Sequence, residues 1–464
     1  MAMAQSPGTF TATGSMITPR FLYTATLLPG GKVLFAGGSP NAFGQPVATA
    51  ELYDPSTGAF TATGNMTTAR ADHSATPLPD GRVLIAGGSS GFSAELYDPS
   101  SGTFTATGDM VKAGGNGTAI LLSNGKVLIA HDLGPYSKTA TAELYDPVAG
   151  TFSATGNQQL NLFGHQRAAL LADGRVLLMI CCTAEQLYDP ASGTFSLTGR
   201  TTRVYPDGFA AAPLTNGQVL RSGGYQDVGD VDTAGAELYD PSTGSFVPTG
   251  NMTRPRSLHT ATPLGDGTVL MAGGGANGYG ASGYLPDIAS VSAELYDPAT
   301  GAFSRTGDMT TARRDHTATL LHDGSGLIAG GQGPDTGTLA TVELYHPLVL
   351  VPAPVLFSLS GDGRGQGAIW HAQTGQIASS GNPAVAGEAL SMYTTSLVDG
   401  GVIPPQVAIA GRLAEVVYFG AAPGYQGYNQ VNFQLPNGLA PGPALPVRLT
   451  YLSRPSNEVT IGVQ

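Results

Sequence analysis

Four segments of this chain place a guanidinium three residues ahead of an imidazole or phenol: Arg20-x-x-Tyr23, Arg70-x-x-His73, Arg256-x-x-His259 and Arg313-x-x-His316. A guanidinium grips anions through paired N–H donors, and an imidazole titrates near neutrality and ligates metals. Gathered around one opening, these eight residues would hold an anionic ligand, and His73, His259 and His316 would offer a transition-metal site. Asp227, Asp230 and Asp232 put three carboxylates within six residues, which is either a calcium site lacking the usual loop glycine and closing Glu or a solvated acidic loop. Tyr279 and Tyr284 stand among glycines, as stacking platforms for a sugar or other ring or as parts of a disordered tip. Cys181 and Cys182 are the only cysteines. Adjacent Cα atoms lie about 3.8 Å apart, so a disulfide between them would be strained yet formable in an oxidising compartment. The alternative is two thiols packed as small apolar groups.

What positions these residues is a repeat. Ala-Glu-Leu-Tyr-Asp-Pro or a near copy occurs seven times, with its carboxylate at Glu51, Glu95, Glu143, Glu185, Glu237, Glu294 and Glu343, at spacings of 42 to 57 residues. All copies but the last run through a turn into Gly-x-Phe, while Gly8-Thr9-Phe10 stands alone at the N-terminus. An apolar run such as Val83–Gly88 precedes each copy, and the Arg-x-x-His segment precedes that run across an Asp80-Gly81 turn. Each unit therefore reads as four short strands separated by turns. Four strands recurring at this period form a propeller blade. The seventh unit lacks its last strand and the N-terminus has one spare, so residues 8–13 are expected to close the ring. The expected fold is all-β: a seven-bladed β-propeller over 1–347, a Pro-rich linker at 348–354, and a separate small β-sandwich-like domain over 355–464.

Gly-Gly doublets, the tyrosine beyond them and the aromatic opening the last strand resemble kelch repeats, over about residues 6–347. Phe stands here where kelch repeats usually carry Trp; the single tryptophan, Trp370, lies outside the repeats. Some kelch-like propellers are copper-radical oxidases with Tyr and His ligands near the axis, but no residue set here matches that pattern. Asn382-Pro383-Ala384, Pro423–Asn432 and Ser456–Ile461 resemble a C-terminal domain that closes many secreted proteins of Solibacter and related acidobacteria. That resemblance implies export to the periplasm or beyond. Met1–Gln5 shows neither a basic nor an apolar signal region, so a mature chain with its signal peptide replaced by a start Met is expected.

Composition narrows the function classes. The 464 residues include 66 glycines and 33 prolines, with a net charge of −12. No clustered basic stripe exists to track a phosphate backbone, which argues against a nucleic-acid partner. No apolar run approaches the roughly 18 residues of a membrane helix. There is no His-Glu-x-x-His pair and no phosphate-binding P-loop.

Within a blade, the connections between the second and third strands share one face with the blade-to-blade crossings. There the lengths vary, at 39–48, 131–140, 225–235, 275–292 and 332–340, which makes that face the expected binding face. The Arg-x-x-His set opens on it in units six, seven, one and two, whereas Gly114, Phe163 and Pro206, with Gly117, Gln166 and Phe209, replace it in units three to five. The competing reading is structural: a group repeated in four blades is more naturally a part of the frame, bonded between blades to the repeated Glu. Two functions follow. The first is a secreted, monomeric propeller binding a carbohydrate or other small ligand; the second is a metal-assisted hydrolase or oxidase at the channel mouth, with calcium or a transition metal as cofactor.

Overall fold

The computed structural model describes residues 8–41, 44–88, 91–112, 117–131, 141–159, 166–180, 184–202, 208–226, 231–276, 279–280, 283–284, 288–335, 337–347, 355–360, 365–395, 405–410, 412–422, 428–451 and 454–464. Two compact units result, the repeats ending at Pro347 and a second unit over Leu348–Gln464. Residues 348–354, expected as a linker, lie outside the described residues. All regular elements among the described residues are β-strands, and no helix is long and apolar enough to cross a membrane.

The repeats form seven four-stranded antiparallel sheets. Blade 2 shows the pattern, with Ser74–Pro77, Val83–Ala86, Ala94–Asp98 and Thr103–Ala106 paired in chain order. Its second strand, Val-Leu-Ile-Ala, is buried at every position because a neighbouring blade covers each face. In the third and fourth strands, Tyr97 lies opposite Phe104 with ring centroids 4.8 Å apart. All seven blades repeat that pair, so Phe does the packing here. The first strands of successive blades adjoin all the way round, Thr24–Leu27 touching both Ser74–Pro77 and Thr317–Leu320.

The glycine doublets have a steric cause. Gly87 and Gly88 adopt φ of 74° and 81°, which residues with a side chain rarely tolerate. A Cβ on Gly88 would also sit 2.5 Å from the carbonyl oxygen of Ala71, where the Arg70–His73 segment passes.

The N-terminal strand closes the ring. Thr9–Ala12 pairs with Val342–His346 as the fourth strand of blade 7, in the register Thr9↔His346 to Ala12↔Glu343. Neighbouring blades are tied by a repeated backbone bond, for example Gly64 N–H to Gly102 O at 2.9 Å, and the closing member is Gly307 N–H to Gly8 O at 2.9 Å. A second tie joins threonine and tyrosine hydroxyls at 2.8–3.0 Å in all seven seams, including Thr13 with Tyr53 and Thr306 with Tyr345. The closing strand makes the same contacts as the other six.

The second unit is one eight-stranded sheet in the order Ile369–His371, Ala389–Thr394, Asn429–Gln434, Arg412–Ala421, Gln406–Ile409, Gly442–Tyr451, with Arg454–Pro455 and Val459–Val463 both on the last. Arg412–Ala421 pairs first with Gln406–Ile409 and then, beyond Glu415, with Asn429–Gln434, so it belongs to both halves of the sheet. Alternate residues are buried, including Leu390, Met392, Val431, Phe433, Val447 and Leu449, giving each half one core-facing side. Asn457 fastens an edge by accepting from Leu356 N–H at 2.7 Å and donating to its carbonyl at 2.9 Å.

Deleting residues 1–14 removes the fourth strand of blade 7 and opens its edge. We expect insolubility or a melting temperature lower by at least 10 °C in a thermal scan. A truncated chain as stable as the parent contradicts this closure.

Candidate functional site

The candidate site lies where the blade crossings enter the channel, and the repeated carboxylates organise it. Glu95 is fully buried and accepts from the backbone N–H groups of Thr67 and Thr68, at 2.6 and 3.2 Å, pinning the segment that crosses from blade 1. Arg70, also fully buried, donates to Glu95 at 3.1 Å, to the Gly87 and Ser93 carbonyls at 2.9 and 2.8 Å, and to Ser93 Oγ at 2.8 Å. Arg20 with Glu51, Arg256 with Glu294 and Arg313 with Glu343 repeat this arrangement, at 2.8, 2.9 and 2.9 Å. Burying a guanidinium is tolerated because a carboxylate and several carbonyls replace its water.

Arg20, Arg70, Arg256 and Arg313, expected to face a ligand, are each paired with the repeated carboxylate of their blade. Each is at most 1% exposed and turned onto its own blade, so a ligand in the channel meets none of these guanidinium groups.

Blades 3 to 5 keep the carboxylate with other partners. Glu143 pairs with His131 at 2.5 Å, and His131 stands where the first glycine of the doublet falls in blades 1 and 2. Glu237 takes both the backbone N–H and the hydroxyl of Thr202. Blade 4 corrects the sequence alignment. A β-bulge moves Glu185 out of register, so Gln186 sits opposite Leu178 and accepts from Gln159 N–H at 2.6 Å. Glu185 instead reaches Ile180 N–H at 2.6 Å and Arg221 of blade 5 at 2.7 Å. Burial raises the Glu185 carboxyl to about 7, an effect that Arg221 partly offsets.

The imidazoles lie in the seams. His73 Nε2 bonds Thr24 Oγ1, His259 Nε2 bonds Ser222 Oγ and His316 Nε2 bonds Thr260 Oγ1, each at 3.1 Å and each to the preceding blade. Tyr23 takes the same place in the first seam, its hydroxyl donating to Ala329 O at 2.6 Å and lying 2.8 Å from Thr317 Oγ1. Nδ1 of all three histidines is buried without a protein partner. Burial, then the nearby arginine, pushes His73 and His259 down to about 3, and His316 also falls well below its ordinary range. All three are neutral at pH 7.

Among the described residues, no three His, Cys, Asp or Glu side chains come together to hold a metal. His73, His259 and His316, expected as transition-metal ligands, are each held in a different seam. Of the acidic loop, Asp232 is buried opposite Tyr225, while Asp227 and Asp230 lie outside the described residues, as do Cys181 and Cys182. Tyr279 and Tyr284 face each other in the backbone register of a hairpin whose base pairs Gly275–Ala276 with Ile288–Ala289.

The structure brings together a pocket of about 240 Å³ at the channel mouth, lined by Arg167, Leu258, His259, Thr260, Asp315 and His316 with inner-strand residues of blades 5 to 7. Arg167 and Asp315 bring a donor and an acceptor to this pocket, while the nitrogens of His259 and His316 are bonded or buried in the seams. Arg167 and Asp315 were missed by the sequence reading, yet both left a signal. Arg167 opens an inner strand where the other blades have Thr, Ser or Ala. Asp315, with Leu22, Asp72 and Leu258, holds φ between 49° and 57° just before the aromatic position, and Asp tolerates that conformation better than most residues.

No family model and no curated protein matches this sequence. Among solved structures, the chain is similar to "Novel fungal alcohol oxidase with catalytic diversity among the AA5 family, in complex with copper". The TM-score is 0.65 at 19% identity, over 99% of this chain and 100% of that one. Identity this low shows a shared fold. Among the described residues no three His, Cys, Asp or Glu side chains gather, and the Tyr23 hydroxyl is bonded to Ala329 O and lies against Thr317 Oγ1.

The histidines set a pH dependence. With folded values depressed below the ordinary 6.5, their contribution is present above pH 6.5 and lost as pH falls toward 3. Glu185, raised to about 7, works with the opposite sign between pH 7 and 4.5. His73→Gln copies the glutamine that blade 4 has at this position. In urea titrations from pH 7 to pH 5, the parent should lose about 2 kcal/mol more stability than His73→Gln. Parallel pH profiles would show His73 to titrate normally.

Proposed function

We propose that the propeller is an exported, monomeric binding module that takes a small, neutral, hydroxyl-rich ligand such as a sugar at the channel mouth. The observation carrying this reading is the polar pocket of about 240 Å³ beneath the long-loop face, lined by uncharged imidazoles beside Arg167 and Asp315. The resemblances to kelch repeats and to the acidobacterial C-terminal domain support export and a binding role. Chemistry argues against hydrolysis through these rings. An imidazole pushed down to about 3 is a weak general base at neutral pH.

A second reading, a metal-assisted oxidase, is favoured by the fold shared with a copper-bound oxidase across nearly the whole chain. Metal analysis of the purified protein separates the two, because stoichiometric copper supports the oxidase.

Arg167→Ala and Asp315→Asn should each weaken binding of the best monosaccharide from a calorimetric panel about tenfold or more, the usual cost of losing a hydrogen bond to a charged group. Their melting temperatures should stay within 2 °C of the parent. A panel that yields no monosaccharide binding, or variants that bind as the parent does, contradicts this assignment.

A further inference from the structure

The second unit carries an aromatic cleft that the propeller reading does not use. Phe357, Trp370, Tyr393 and Tyr428 line about 400 Å³, with no charged side chain among them. The rings meet edge to face in two pairs, Trp370 with Tyr393 at 5.3 Å and Phe357 with Tyr428 at 5.5 Å, both at 67°. A cluster that served only as core would be buried. Here Tyr428 is 43% exposed, and Trp370, Tyr393 and Phe357 are partly exposed.

Strand register explains the arrangement. Ala389–Thr394 and Asn429–Gln434 alternate, burying Leu390, Met392, Val431 and Phe433 and turning Ser391, Tyr393, Gln430 and Asn432 outward. Trp370 pairs with Ser391, Ser391 with Asn432, and Asn432 with Tyr418, giving one rank across four strands with aromatics at both ends. A bulge between Val416 and Tyr418 puts Tyr418 into this rank. Between the aromatics, Gln430 Nε2 donates to Ser391 Oγ at 3.1 Å and to Asn432 Oδ1 at 2.9 Å.

We propose that this face binds the pyranose rings of a neutral polysaccharide. The C–H faces of sugar rings pack on indole and phenol rings, and their hydroxyls suit amides and hydroxyls set beside them. Among the described residues that line the cleft none is charged, so none of them pairs with a phosphate or carboxylate. A purely apolar partner would leave the Gln430, Asn432 and Ser391 groups covered and without water. This site is independent of the channel-mouth pocket.

Trp370 is the only tryptophan in the chain, so its fluorescence reports this cleft alone. The probes are hydroxyethylcellulose, xylan, galactomannan and dextran, titrated into the full-length protein and cast into native gels. We expect at least one to shift Trp370 emission saturably and to retard migration. Tyr428→Ala and Gln430→Ala should weaken that response at least tenfold with unchanged melting temperature, whereas Arg167→Ala leaves it intact. The proposal is overturned by any of three results: all four glycans silent in both assays, a response unaltered in Tyr428→Ala and Gln430→Ala, or self-association without glycan that Trp370→Phe and Tyr428→Ala relieve in sedimentation.

Discussion

A carboxylate with almost no access to water is the constraint on which the propeller depends. In each blade an acid, or glutamine in blade 4, lies inside the protein and must find hydrogen-bond donors there. It finds them on the segment crossing from the preceding blade, so its own satisfaction fixes where that segment runs. In blades 1, 2, 6 and 7 an arginine then completes the shell and bonds the carbonyl of the doublet's first glycine. Doublet, arginine and carboxylate therefore form one device, and losing any member leaves buried polar groups unpaired.

This device also decides what is left for binding. In four blades it consumes the arginines and leaves the aromatic position to bridge the seam. The mouth of the channel is then furnished by Arg167, which departs from the repeat, together with the repeat positions of Asp315, His259 and His316.

The architecture was legible because propeller blades are local. Strand count, turn glycines and the spare Gly8-Thr9-Phe10 strand all sit in sequence order, so seven blades and their closure follow from counting. The site was less legible. Whether Arg70 faces the channel or Glu95 depends on a side-chain direction that spacing leaves open. The one-residue slip at Glu185 is a bulge that the hexapeptide conceals, because Glu185 matches the motif while Gln186 holds the position. The outward rank of Trp370, Ser391, Asn432 and Tyr418 depends on pairing between strands distant in sequence and on a second bulge, so no local pattern shows it.

The repeated arginines belong to the frame, each paired inside its own blade. A double-mutant cycle on Arg70→Met and Glu95→Gln, read by urea unfolding beside ligand binding, tests it most directly. Each single change should cost about 3–5 kcal/mol, and the pair less than their sum, because breaking one partner strands the other in the interior. Single variants within 0.5 kcal/mol of the parent that have lost ligand binding would make Arg70 part of the site and contradict the claim.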